Sequence, residues 1–525
     1  MLNRTPEQDQ VVIGLDVGTT SVKCLALPVR PGRRAGVLAS RPTGTTSPRP
    51  GWQVQDPAQL LHACDEALTE CVARSRGTVV AVGVSTAMHG LVGLDADGSP
   101  LTDLLTWGDT RASAHAAQLH RDGRAATFHQ VSGTPVHAMS PLVKLAWWRD
   151  NDPELHEHVA TWTDLKGLVL RHLTGRDVID RSSAGGTGLL DRHQDTWNPT
   201  ALAVAGVGRS QLPDIVEPEA ALRLTSTAAA RTGLPPTSKV VAGASDGPSG
   251  NLGTGAVAPG VAGLSLGTSG ALRVVVRGRP TDLPSGLFCY LLARDRWVIG
   301  GAISNGGNAL SWLTRTLLSG APETDLLNLA GELPPGADGL SVVPYLTGER
   351  APLWDPALPG MILGLRAHHG PAHLVRATFE GVALQLAAVL AQVIQVAPVE
   401  HVVLTGGALR HGWQLQCLAA ALERPVVLGR GTDGSALGAA AYALHSSGHA
   451  PGLDAAAALL REGAEPPSAD TSGQTQHPVT APDPGAVRTY RQSRRQLHTA
   501  AAQLGRVATS LGVAPGPMAT QGNSC

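Results

Sequence analysis

The sequence predicts an α/β protein of two related domains that meet at a cleft. Three observations lead there. The chain has 525 residues, too long for one ordinary core, and domains of roughly 100–200 residues imply two or more. A short motif recurs, Gly14–Thr20 (GLDVGTT) and Gly263–Ser269 (GLSLGTS), offset by 263 − 14 = 249 residues. Repetition at that scale indicates two related halves, not a short-period solenoid. Strand-like runs also alternate with helical patterns, as in α/β layers.

Taken in order, Val11–Leu27 (VVIGLDVGTTSVKCLAL) reads as a hairpin, two β-rich runs around a Gly-Thr-Thr turn. Val79–Ser85 is a strand running into the turn Thr86–Gly90, and Val240–Gly243 one running into Ala244-Ser245-Asp246-Gly247. The Gly-rich run GNLGTGAVAPG places a boundary near 250–262, so an N-terminal domain is expected over 1–255 and a C-terminal one over 256–450. In the second, the strand His401–Leu404 runs into Thr405-Gly406-Gly407-Ala408 and a helix follows at Trp413–Leu422. The apolar stretch 381–398 is interrupted by Gln385, Gln392 and Gln395, which predicts a core helix and not a membrane span. Residues 451–485 read as an Ala/Pro-rich linker, 486–507 as a basic amphipathic helix, and the end as disordered.

The composition narrows the function classes. A hydrophobic fraction of 42% suffices for well-formed cores. With 41 basic against 42 acidic residues, the chain lacks the basic field of a nucleic-acid or anionic-membrane binder. Six scattered cysteines without a CxxC pair or zinc-ligand spacing read as reduced thiols, and the polar start MLNRTPEQDQ has no signal-peptide core. The expected location is cytoplasmic; a homodimer is compatible with the sequence but not indicated by it.

The chemistry concentrates in two places. Asp16-Val17-Gly18-Thr19-Thr20 sets a carboxylate at a strand end before a turn of amides and hydroxyls. Such a turn can cradle phosphate oxygens, and the acid can hold Mg²⁺ directly or through water. Lys23 is near enough in sequence to approach phosphate, or is a surface charge on the second strand. The echo lacks the acid, since Ser265 stands where Asp16 does, but it supplies a second turn, Gly267-Thr268-Ser269. Asp246 follows the apolar run KVVAG, where a carboxylate on a turn could serve as base toward a substrate hydroxyl.

With these pairs the chain resembles the FGGY carbohydrate kinases over about residues 11–445. That resemblance implies two ribonuclease-H-like domains of the actin/hexokinase-like ATPase superfamily, with ATP and Mg²⁺ as cofactors and a small-molecule sugar as substrate. It implies that Asp246 is the catalytic base, that Gly18, Thr19, Thr20, Gly267 and Thr268 face the phosphates, and that Gly307, Gly406, Gly407 and Ala408 flank the nucleotide. Met88-His89 would occupy the sugar-contact loop, Trp107 of WGDTR would line the sugar pocket, and Met139, in the block SGTPVHAMSPLVKL, would bind the substrate with them and Asp246. Asp109 and Arg111 are either sugar contacts or a structural ion pair. These blocks, with CYLLARDRWVIGGAISNGG and PYLTGERAPLWDP, look like the gluconate-kinase branch and imply a sugar acid. Xylulokinases are similar at Met88-His89 and at PYLTGER. An aldonate carboxylate needs cationic or N–H partners, for which His89, His137 and Lys144 are candidates. A chaperone- or actin-like ATPase would not need the sugar loops, and a catalytically silent sugar-binding protein would not need both acids.

Overall fold

The computed structural model describes residues 9–30, 36–318, 322–346, 348–355, 358–409, 411–429, 433–464 and 479–510. The expected linker over 465–478 and the expected disordered end from 511 lie outside the described residues.

Two six-stranded sheets carry the chain. The first contains β1 (Gln10–Val17), β2 (Ser21–Pro28), β3 (Val37–Pro42), β4 (Thr78–Thr86), β5 (Ala221–Arg223) and β6 (Lys239–Val241), in the order β5-β6-β4-β1-β2-β3. The second contains β7 (Gly260–Leu266), β8 (Gly270–Arg277), β9 (Phe288–Ala293), β10 (Arg296–Ile303), β11 (Val399–Thr405) and β12 (Val426–Leu428), in the order β9-β10-β8-β7-β11-β12. In each, an antiparallel hairpin (β1/β2, β7/β8) accepts a parallel strand along its first arm, β4 on β1 and β11 on β7. The registers correspond: Asp16 pairs with Ser85, and Ser265 with Thr405. The sequence echo is therefore a structural equivalence, and the two-domain α/β expectation holds.

Alternation along the strands dictates what covers each face. In β1, Ile13 and Leu15 join a core with α1 (Pro57–Arg74), α2 (Leu165–Thr174) and α3 (Ser226–Thr232). Helix α1 starts where Asp56 accepts from the amides of Ala58 and Gln59, with Pro57 in its first turn. Between β4 and β5 the chain builds a helical cap with its own core, including Leu105, Phe128, Leu142, Trp148 and Trp162. The expected sugar loops belong to this cap.

Residues from Asp246 to Thr254 form helix α4, which runs into the Gly-rich stretch expected as the boundary. Helices α5 (Gly307–Trp312), α6 (Glu323–Glu332), α7 (Pro371–Val393) and α8 (Gly412–Leu422) follow. Helix α7 buries Phe379, Val382, Leu386 and Leu390 against Leu264, Leu272 and Ile299 of the second sheet. It begins ten residues before the apolar stretch, with Pro371 in its first turn, and contains a buried Arg376–Glu380 pair at 2.7 Å. Among the described residues it alone is long and apolar enough to cross a membrane, and it is a buried core helix.

A third layer separates the sheets. Helices α9 (Gly434–Ser446) and α10 (Leu453–Ala464) join α4 between Val12, Ala81 and Val241 on one side and Val275, Tyr290 and Val298 on the other. Gly14 and Gly83 let α9 rest directly on β1 and β4, since a Cβ on either would overlap the carbonyl of Ala436 or Ala439. So α9, which falls within the segment expected as the C-terminal domain, packs on the first sheet. Helix α10 occupies part of the expected linker because Leu453, Ala456, Ala457 and Leu460, spaced i, i+3, i+4, i+7, give it one buried face. Helix α11 (Pro484–Ser510) spans the segment read as a basic amphipathic helix and is anchored by Tyr490, whose hydroxyl donates to Glu380 Oε1 at 2.8 Å.

Candidate active site

Asp16 closes β1, where Ser85 on parallel β4 donates its hydroxyl to Asp16 Oδ1 at 2.9 Å. The turn beyond is tight: the Gly18 amide donates to the Ser21 carbonyl at 3.0 Å, and the Thr43 amide to the Thr20 carbonyl at 2.9 Å. Thr19 is half-buried and Thr20 exposed. Lys23 is not a loose surface charge; its Nζ pairs with Asp433 Oδ1 at 2.7 Å, at the start of α9. Burial, followed by the nearby Asp246 charge, pushes the Asp16 carboxyl up to about 7, with Ser85 and Lys23 pulling the other way.

Asp246 differs from the expected strand-end turn. Its strand, β6, ends at Val241, Gly243 takes a left-handed φ of +66°, and Asp246 is the first residue of α4, after Ser245. Gly243 is required there, because a Cβ would overlap the Val84 carbonyl. A carboxylate in a helix's first turn lies in the favourable end of the backbone dipole, and the Gly247 amide donates to Asp246 Oδ1 at 2.7 Å. Burial nonetheless raises its pKa above the ordinary value, against the pull of Arg273, the Gly247 amide, Arg350 and Lys166. Both acids keep part of their surface open.

Beneath them lies Lys166, fully buried, in the first turn of α2. Its ammonium donates to the carbonyls of Val84, Ala242 (2.6 Å) and Ala244 (3.1 Å), and stands 3.7 Å from Asp180 Oδ2. It thus ties the end of β4, which carries Ser85, to the segment that delivers Asp246.

On the second half, Gly267, Thr268, Gly307, Gly407 and Ala408 line one cavity of about 360 Å³. Gly406 adjoins it with φ +116°, where a Cβ would overlap Leu266. A Cβ on Gly307 would stand 2.9 Å from the Gly267 carbonyl oxygen and 3.0 Å from the Ala408 Cβ, so a side chain at this position is crowded. Arg315, Glu323 and Gln414 also line the cavity, and no motif pointed to them. Gly18, Thr19, Thr20 and Lys23 are not part of its wall; they sit at the tip of β1/β2.

The expected sugar loops meet the second sheet. His89 has φ +64°; its Nδ1 bonds the Gly186 carbonyl at 2.7 Å, and its Nε2 lies 3.5 Å from the Tyr290 hydroxyl of β9. Met88 packs against Gly186, where a Cβ would stand 2.6 Å from the methionine methyl. Trp107 is stacked by the Arg350 guanidinium, Cζ 4.6 Å from the ring centre. Met139 is buried within the hydrophobic core of the second half. His137 Nδ1 accepts the Met139 amide at 3.2 Å, which leaves the proton on Nε2. Burial holds His89 and His137 each down to about 3, hence neutral. Lys144 donates to the carbonyls of His89 (2.6 Å) and Thr106 (2.7 Å) and so braces two sugar loops from behind. Asp109 and Arg111 form a buried bidentate pair at 2.9 and 2.8 Å, with Arg111 3.5 Å over Trp52, which makes them structural.

Sequence reasoning missed Lys166, Arg273, Tyr290 and Arg350. Tyr290 and Arg350 sit inside blocks that were singled out, but residue type alone did not separate them from their neighbours. No group of three or more His, Cys, Asp or Glu able to hold a metal occurs among the described residues. A nucleotide-borne Mg²⁺, which keeps waters and uses few carboxylates, fits Asp16 without such a cage. The raised affinity of that carboxyl for a proton shows how poorly its charge is compensated by protein alone.

Residues 11–253 match the N-terminal domain of the FGGY family of carbohydrate kinases, and residues 262–447 its C-terminal domain. A gluconokinase of Bacillus licheniformis is 31% identical over 465 residues, covering 86% of this chain and 90% of the relative. A xylulose kinase of Escherichia coli is 31% identical over 440 residues, 82% of this chain and 89% of the relative. The crystal structure of gluconate kinase from Lactobacillus acidophilus superposes with a TM-score of 0.87 at 28% identity, covering 95% of this chain and all of that one.

Proposed function

The chain belongs to the FGGY family of carbohydrate kinases, and from that premise we propose that it phosphorylates a sugar acid, D-gluconate, at the expense of ATP. The observation that carries the reading is Asp246: a partly open carboxylate at a helix start, between the two sheets, whose surroundings raise its proton affinity. Such a group is a competent general base for a hydroxyl. The sugar-acid choice is supported by the blocks around Trp107, Met139 and Arg350 and by the gluconokinase likeness.

In this mechanism the sugar binds the cap loops of Met88, His89 and Trp107, and the nucleotide lies along the cavity of Gly267, Gly307 and Gly407. Asp246 accepts the proton of the terminal hydroxyl as its oxygen attacks the γ-phosphate. Amide and hydroxyl donors of the two hairpins, Gly18–Thr20 and Gly267–Thr268, steady the transferring group. Asp16 would hold Mg²⁺, which supplies charge neutralisation at the phosphates. Ser85 orients the Asp16 carboxylate, and Lys166 fixes the two strand ends relative to each other. Closure of the halves excludes water from the site.

The reading is tested by ADP release over a panel of D-gluconate, D-xylulose and glycerol, with Asp246→Asn alongside. D-gluconate should give the highest kcat/KM, and the variant should lose about 10²–10⁴ in kcat. Preference for D-xylulose, which the 31% identity to a xylulose kinase makes the second reading, would reassign the substrate. Near-normal turnover by Asp246→Asn would remove its role as base, and sugar-independent ATP turnover would indicate a conformational ATPase.

A further inference from the structure

We propose that Arg273 and Arg350, both from the second half, form the carboxylate clamp that makes the pocket selective for a sugar acid. The inference rests on the sugar-acid reading above and names the groups that would carry it. A carboxylate entering a closing cleft needs cationic donors in place of its water. The side chains that the sequence offered do not provide them. Lys144 is committed to two loop carbonyls, and His89 and His137 are uncharged. Lys166 is committed to three more carbonyls below the site.

Two guanidinium groups remain. Arg350 reaches across the cleft to lie on Trp107, the tryptophan of the sugar loop. It is 8% exposed; its Nη2 donates to the Ile303 carbonyl at 2.8 Å, and its Nε is buried without a hydrogen-bond partner. An unsatisfied buried N–H costs free energy until a ligand fills it. Arg273, on β8, donates from Nη1 to Ser265 Oγ at 3.2 Å and lies beside Gly247, next to Asp246. Burial lowers the Arg350 pKa, and the Arg273 charge adds to that effect. Glu349 and Asp246 favour the Arg350 charge, although burial pushes the Glu349 carboxyl well above the ordinary range. An anion between the two forks relieves the repulsion and fills the open donor, in the planar geometry that arginine offers a carboxylate. Arg350 belongs to the PYLTGER block, which neutral-sugar kinases also resemble, so discrimination should depend chiefly on Arg273.

The test compares D-gluconate with D-gluconamide, its neutral isostere, and with D-glucitol. Wild-type protein should bind D-gluconate roughly 10- to 100-fold more tightly than the amide, as expected for charge-assisted hydrogen bonds. Arg273→Gln and Arg350→Gln should each cut that preference about fivefold or more, while KM for MgATP moves less than about threefold. If wild-type protein phosphorylates no sugar acid, the functional reading falls and the clamp with it. If D-gluconate is phosphorylated but both variants keep the preference, the clamp alone falls. It also falls if the preference survives while KM for MgATP rises, which would assign the arginines to phosphate. Should neither variant fold, the wild-type comparison decides, and equal binding of acid and amide overturns the clamp.

Discussion

Replacing Lys166 by Met should destabilise the protein by about 3–5 kcal/mol, the cost of breaking a buried ion pair from one side. The substitution keeps the length of the side chain but removes the donor shared by the carbonyls of Val84, Ala242 and Ala244. Hydrogen bonds to a charged group contribute about 1.5–3 kcal/mol each, which taken singly would suggest a larger loss. Two effects reduce it: the burial penalty of the ammonium disappears with it, and water can reach carbonyls at strand ends. The loss leaves Asp180 as an uncompensated buried carboxyl, because Lys166 lies 3.7 Å from its Oδ2 and that oxygen has no hydrogen-bond partner. Removing both charges in Lys166→Met/Asp180→Asn should therefore recover about 1–2 kcal/mol relative to additivity. Urea unfolding followed by far-UV circular dichroism reads these values from the first transition, since two domains need not unfold together. A loss below about 1 kcal/mol, or a double variant that is merely additive, would refute the argument that this ammonium ties the strand ends.

Three further outcomes follow from the same coordinates. His89 and His137 have folded pKa values depressed to about 3, so the stability they contribute is present above pH 6.5 and is lost as pH falls toward 3. Relative to His137→Gln, wild-type protein should lose about 2 kcal/mol between pH 7.5 and 5, read from thermal melts at both values; a pH-independent difference would contradict this. Gly307→Val should raise KM for MgATP tenfold or more, on the order of 1.4 kcal/mol, by filling the cavity wall, with KM for the sugar nearly unchanged in initial-rate measurements. Tyr490→Phe leaves Glu380 without the phenol that bonds it at 2.8 Å and should cost about 1–3 kcal/mol in urea unfolding without changing either KM.

Much of the frame was legible in the chain because it is local. The β1/β2 hairpin, its echo at β7/β8 and the apolar stretch 381–398, most of which lies in α7, are written in runs of neighbouring residues. The two acids stood out through context: Gly-Thr and Asp-Gly turns are common, but the first is echoed in the second half and both fall within the blocks that carry the family resemblance. What stayed hidden depends on distant contacts. Residues 246–254 (DGPSGNLGT) are poor helix formers, yet Gly253 is needed because a Cβ there would overlap the Gly434 carbonyl of α9. Lys166 belongs to no motif, and only the fold brings three carbonyls to it. Arg273 and Arg350 are far apart in sequence and become neighbours only when the segment carrying Arg350 packs on β10, the strand that pairs with β8. Lys144 misled for the same reason: its charge was readable, and the carbonyls that occupy it were not.

The position of α9 also bears on how the chain is made. The apolar side of β1, β4 and β6, with Val12, Ala81 and Val241, is finished only when the helix starting at Gly434 arrives. From Gly255 to Gly434 is 434 − 255 = 179 residues, which at roughly 5–20 residues per second keeps a ribosome busy for about 10–35 s. Throughout that interval the first sheet has all its strands but only α4 over this face. Nascent chains of this length should recruit chaperones until the last helices emerge, and the first domain synthesised should be among the last to close.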